Sequence, residues 1–262
     1  MSLMLIPAGR PLPQTVCAMV TPRGGGVSQG SWGLPHGGEG GLNLGSYCGD
    51  RPDAVAENRR RLRVLLPSDP CWLRQVHGVE VYRSAKGGTD AELPQEVCAD
   101  ASVTDVPGRV LAILSADCLP VLLSDREGRR IGAAHAGWRG LAEGVIENTV
   151  AALRALPGES EPLIAWLGPA IGPAAFEVGD EVRQAFIDKD SQAYECFRPA
   201  IQPGKWLADL FSLARQRLAR LGITDVGGGG QCTVSNPDQY FSHRRDRVTG
   251  RMASLIWIKP PS

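Results

Sequence analysis

Two histidines and one cysteine, His77, Cys118 and His135, stand where an apolar run gives way to a turn. Each alone has an ordinary explanation. A lone cysteine usually packs as a small apolar group, and a lone histidine usually completes a core hydrogen bond. Together, at the ends of apolar segments, they form a donor set for one metal ion, because side chains there are exposed yet rigidly held. Two imidazoles and a thiolate suit zinc. Three protein donors leave a fourth tetrahedral position for water or substrate, as catalytic rather than structural sites do. Zinc so held would lower the pKa of its water to about 7 and supply a nucleophile at neutral pH. Copper would bind the same donors, and more tightly by the general affinity order. A cluster of several coppers, however, needs many imidazoles, and the chain has 4 histidines.

Two further motifs could hold a substrate. Gly137, Trp138, Arg139 and Gly140 precede a helical pattern. A helix start there would offer free N–H groups, and Arg139 a bidentate contact, to an anion beside His135. The bland reading packs Trp138 in the core and pairs Arg139 with a surface carboxylate. Tyr240, Phe241, His243, Arg244 and Arg245 mix aromatic and basic character, which could stack on a base and hold phosphate. A solvated basic loop explains that stretch equally well.

These residues need a scaffold. Short apolar runs at 110–114, 120–123 and 131–134 read as buried strands joined by tight turns. Leu141, Val145, Thr149 and Leu153 recur at four-residue spacing, one helical stripe ending at Pro157 and Gly158. Residues 53–66, 178–187 and 207–221 also read as helices, and 163–167 and 253–258 as strands. Strands and helices are mixed without strict alternation, so the fold class is α+β. Nearly half of residues 24–45 are glycine, which predicts a long loop, either a tolerated insertion or a lid.

Composition excludes several classes. Lys plus Arg and Asp plus Glu are both 28, so the net charge is zero and no general nucleic-acid or membrane-surface binder is expected. No apolar run is long enough to span a bilayer, and the first residues lack a signal-peptide pattern. The 7 cysteines are scattered and never spaced C-x-x-C. That predicts reduced thiols in a cytoplasm rather than a disulfide framework.

Six motifs, in order, resemble the laccase-domain or polyphenol oxidase-like family, whose members are described as purine nucleoside phosphorylases. They are Gln75 to His77, Ala116 to Pro120, His135 to Gly140, Leu167 to Pro169, Phe176 to Gly179, and Arg244 to Asp246. The resemblance runs from Thr21 to Ser254. It implies a single domain over 1–262, layered α/β/β/α with mixed sheets as in the deamidase-toxin-like fold. It implies zinc on His77, Cys118 and His135. The implied activity is phosphorolysis of adenosine, inosine, guanosine and methylthioadenosine, with adenosine deamination, by a monomer or homodimer. Arg23, Asn43, Gln75, Arg139 and Arg244 match family positions that would line the pocket. Two departures stand out: the segment between Ser28 and Leu42 is long and glycine-rich, and His243 replaces the family's usual aromatic. Neither His36 nor His243 is expected to bind the metal.

Phosphorolysis needs a held phosphate and deamination an activated water. The common zinc-deaminase pattern is absent, since His77 is followed by Glu80 at the wrong spacing. Asp100, Asp117 and Glu177 are therefore candidates to move protons or orient the histidines. Resemblance to the deamidase toxins, in which a Cys–His pair is catalytic, leaves a second reading: Cys118 as nucleophile with His135 as base. This could be an amidohydrolase acting on a peptidoglycan precursor, as relatives implicated in precursor editing suggest. Copper-dependent polyphenol oxidation is a third possibility.

Overall fold

The structure, a computed structural model, describes residues 3–84, 97–158 and 162–260. Two sheets dominate. The first has five strands in the order Ile6–Pro7, Val16–Val20, Met252–Ile258, Val110–Ser115 and Pro70–Cys71. Met252–Ile258 pairs antiparallel on both sides and is buried throughout, which explains its nearly unbroken apolar sequence. The second has six strands in the order Val226–Gly228, Leu163–Leu167, Leu119–Asp125, Ile131–Ala136, Ala101–Thr104 and Val81–Arg83. Its outer pairings are parallel and its inner ones antiparallel.

The period of two along a strand sorts side chains between faces. Val110 and Ala112 join a cluster with Leu62 of helix Pro52–Arg63. Their neighbours Leu111 and Ile113 point the other way, against Leu122, Ile131 and Ala133 of the second sheet. On the far side of that sheet, Leu119, Val121, Leu123 and Ala134 meet Leu141, Val145, Val150 and Leu153 from two helices. The sheets therefore pack face to face, with helices outside. The chain crosses from the first sheet to the second at residues 116–118, between Val110–Ser115 and Leu119–Asp125.

The helix predicted after Gly137 is two helices, Trp138–Glu143 and Val145–Arg154. Gly144 adopts φ 104°, a left-handed conformation that closes the first and opens the second. The apolar stripe continues across the break, so periodicity alone did not reveal it. The helix read over 178–187 starts at Asp180, because Glu177–Gly179 pairs as a strand with Lys205–Ala208. The helix read over 207–221 likewise starts at Leu210. Asp209 caps it, accepting from the N–H groups of Phe211 and Ser212.

Residues 24–45 are not an open loop. Gly24–Ser28 is extended, and the N–H groups of Gly25 and Gly26 donate to the Gly40 carbonyl at 2.9 and 3.0 Å. Asn58 of the neighbouring helix fixes the fold of this segment. Its Oδ1 accepts from Val27 N, and its Nδ2 donates to Ser28 Oγ, Gly41 O and Asn43 O.

Candidate metal centre and its cavity

Cys118 sits at the point where the chain changes sheets, and Asp117 shapes that turn. Asp117 has φ 93°, unusual for a residue with a side chain. Its carbonyl accepts from Ile171 N at 2.9 Å. Its Oδ1 accepts from Thr233 Oγ1 at 2.5 Å and its Oδ2 from Arg244 N at 2.6 Å. Both carboxylate oxygens are thus engaged in holding the turn.

His135 lies in strand Ile131–Ala136 and is only 3% exposed. Its Nδ1 is 2.8 Å from Oδ1 of fully buried Asp100. A carboxylate partner assigns the proton to Nδ1 and leaves Nε2 free as a donor atom. Asp100 also accepts from the backbone N–H groups of Val76, His77 and Gly78 at 3.0, 2.9 and 2.7 Å. Those bonds hold His77 at φ 62°, in a loop rather than at a strand end. Burial would raise the Asp100 pKa, but the hydrogen bonds from His135 and the loop outweigh it and hold it below the ordinary value.

The donor atoms of His77, Cys118 and His135 all lie within 4.8 Å of one another. Cys118 Sγ is 3.8 Å from His77 Nε2, and the two rings meet edge to face with centroids 4.9 Å apart. Burial opposes charge on Cys118, yet the His135 charge and hydrogen bonds from both histidines lower its pKa to about 6. Burial likewise opposes a charged His135, yet the Cys118 thiolate and Asp100 raise it to about 9. Without a metal, both shifts favour a thiolate beside an imidazolium. Gly137 makes room for the cluster. A Cβ there would stand 2.9 Å from Cys118 Sγ and 3.1 Å from His77 Cδ2.

The cluster forms one wall of a cavity of about 340 Å³, near the lower end of the usual range for small-molecule sites. Other walls come from residues 45–48, from Leu73 and Gln75, from Leu114 to Ala116, and from His243 and Arg251. Among the described residues the lining contains no Asp or Glu, and Arg251 is its one Arg or Lys.

The remaining candidates fall in different places. Gln75 lines the cavity, but its amide pairs with both backbone groups of Leu114 at 2.8 Å. Asn43 is fully buried behind the wall. Its Oδ1 accepts from Gly45 N and Arg251 N. Arg23 is buried, donating to Gly33 O and Pro237 O and pairing with Asp246 at 3.5 Å. Arg244 donates to the carbonyls of Ala175 and Glu177. Exposed Arg139 stacks on Trp138, 4.4 Å from the ring centroid, and does not line the cavity. Glu177 is exposed on its strand. The sequence motifs do not single out Tyr47 or Arg251, which also line the cavity.

The chain matches a family model described as multi-copper polyphenol oxidoreductase laccase over residues 17–259. It is 48% identical over 261 residues to purine nucleoside phosphorylase YfiH of Shigella flexneri, covering 98% of this chain and 100% of that protein. It is 49% identical to purine nucleoside phosphorylase PA4543 of Pseudomonas aeruginosa, covering 95% and 96%. Protein NMB0706 of Neisseria meningitidis, of known crystal structure, superposes with a TM-score of 0.87 at 44% identity over 98% of this chain and 99% of that one. YlmD from Geobacillus stearothermophilus gives 0.82 at 28% identity, covering 96% and 95%.

Proposed function

This chain belongs to the multi-copper polyphenol oxidoreductase laccase family, and on that basis we propose that it is a zinc-dependent purine nucleoside phosphorylase. Its substrates would be adenosine, inosine, guanosine and methylthioadenosine with phosphate, and it would also deaminate adenosine. The observation that carries this reading is the meeting of two imidazoles and one thiol, within 4.8 Å of one another, on the wall of a substrate-sized cavity. The names of the curated relatives supply the reaction class.

The donor set fits zinc: nitrogen and sulfur in the number used by catalytic sites, with a carboxylate behind one imidazole. Zinc on His77, Cys118 and His135 would supply a Lewis acid able to polarise an oxygen at neutral pH. Three donors for one ion do not make a multi-copper cluster. The chain's own residues do the positioning. Asp100 fixes the His135 tautomer and the His77 loop together. Asp117 fixes the Cys118 turn. The Tyr47 ring at the mouth, 74% exposed, offers a stacking face for a purine. Phosphorolysis joins a phosphate oxygen to the anomeric carbon and releases the base through a cationic sugar-like transition state, so alignment of the two substrates accounts for much of the rate.

Among the described residues no helix is long and apolar enough to cross a membrane. All 7 cysteines are free thiols, which fits a reducing cytoplasm.

One observation favours a second reading. The Cys118 thiolate, the His135 imidazolium and Asp100 form an array able to attack an amide carbonyl, as in an amidohydrolase acting on a peptidoglycan precursor. Incubation of purified protein with adenosine and phosphate separates the two. Adenine, ribose-1-phosphate and inosine, lost on chelation and restored by zinc, support the phosphorylase. Amide hydrolysis that survives chelation but not thiol alkylation supports the nucleophile.

A further inference from the structure

The cavity that holds the metal donors has a second charged feature on another wall. Arg251 is half-buried there, and its backbone, stem and head group are each held in place. Its backbone N–H donates to Asn43 Oδ1 at 2.8 Å, and its carbonyl accepts from Leu44 N at 3.2 Å. Its stem lies against Gly45, where a Cβ would come within 2.8 Å of Arg251 Cγ. Its Nη1 donates to the carbonyls of Thr249 and Gly250 at 2.9 and 3.0 Å. Among the described residues it has no carboxylate partner, and its Nε and Nη2 have no recorded acceptor.

A guanidinium held this way is a preorganised fork for an oxyanion. The electrostatics of the whole cavity favour the same ligand. Among the described residues the lining has no Asp or Glu, its one Arg or Lys is Arg251, and a bound metal would offset the charge of Cys118. A neutral nucleoside gains little from such charges, whereas a small dianion would gain from Arg251 and from a bound metal. Arg23, Arg139 and Arg244 do not line the cavity, whereas Arg251 does.

We infer that Arg251 is the oxyanion-binding residue of this cavity, and that its ligand is inorganic phosphate held opposite the metal donors. This places the anion site away from the helix start at Gly137. Buried Asn43 is then a positioning residue, because its side-chain Oδ1 accepts from the Arg251 backbone N–H. The inference rests on the phosphorylase reading for the identity of the anion, and on the cavity alone for the site.

The test is calorimetric titration of the zinc-loaded full chain with inorganic phosphate, in wild type, R251Q, R251K and R139Q, beside the phosphate KM of phosphorolysis. Expected results are roughly tenfold or greater weakening in R251Q, with R251K intermediate because it keeps the charge but loses the fork. Inosine binding measured without phosphate should change less. If R251Q proves unfolded by its thermal melt, the R251K shift in phosphate affinity decides. Phosphate affinity and KM unchanged in both Arg251 variants, or lost in R139Q instead, would overturn the assignment. Phosphate binding that depends on Arg251 in a protein without phosphorolysis would sink the nucleoside reading and leave the anion site standing.

Discussion

Nδ1 of His135 lies 2.8 Å from Oδ1 of Asp100, and that same oxygen accepts the backbone N–H of His77 at 2.9 Å. One buried carboxylate thus sets the geometry of two candidate metal donors, one through its ring and the other through its loop. Asp100→Asn should break this arrangement, because its amide N–H groups would face backbone N–H groups that now donate to the carboxylate. We expect a roughly 10–100-fold loss of zinc affinity, read by competition with a chromophoric chelator. Full zinc retention in D100N would show that Asp100 does not hold the site.

Gly137→Ala tests packing around the donors without removing one. The new methyl would meet Cys118 Sγ at 2.9 Å and the His77 ring at 3.1 Å. The expected destabilisation is about 1–3 kcal/mol, with zinc content well below one per chain by elemental analysis. Normal zinc content and a wild-type melting curve would mean that the cluster accommodates the methyl freely.

The pH dependence of the chelator-stripped protein follows from the two shifted groups. The Cys118 pKa is lowered to about 6, so the thiolate's stabilising contribution is complete above the ordinary thiol pKa and is lost as pH falls through about 6. The His135 pKa is raised to about 9, so its contribution is complete below the ordinary imidazole pKa and is lost as pH rises through about 9. The ion pair therefore occupies the window between these values. The alkylation rate that disappears in Cys118→Ser should titrate near 6. A midpoint at the ordinary thiol value would refute the pair.

Asn58→Ala should release the glycine-rich segment. The substitution strands the Val27 N–H and three acceptors on Ser28, Gly41 and Asn43. A loss of roughly 3 kcal/mol is expected, lowering Tm by on the order of 10 °C. Hydrogen exchange should rise at residues 24–45 before it rises in the sheets. Uniform exchange across the molecule would count against a segment anchored mainly by this one side chain.

The three candidate metal donors could be picked out in the sequence because histidine and cysteine are chemically distinctive and each stood next to an apolar run. Their convergence depends on Asp100, whose role is invisible without knowing that residues 76–78 return to it. The strand core was legible at Val110–Ser115, Leu119–Asp125 and Met252–Ile258, where burial on both faces leaves few polar residues. Gly24–Ser28 was not, since a strand of mostly glycine carries no side-chain pattern, and its order comes from Asn58 far along the chain. Arg139 drew attention by its neighbours in sequence and Arg251 by its neighbours in space. Only the second kind of proximity defines a cavity.

Cys118 occupies the link at which the chain leaves one sheet for the other, while His135 belongs wholly to the second and Arg251 directly precedes the central strand of the first. Sliding or tilting of the two sheets against each other would therefore change the separation of these groups before any strand came apart. A metal held by His135 and Cys118 would tie the second sheet to the link that joins it to the first, so its release should report strain at that link earlier than any loss of secondary structure.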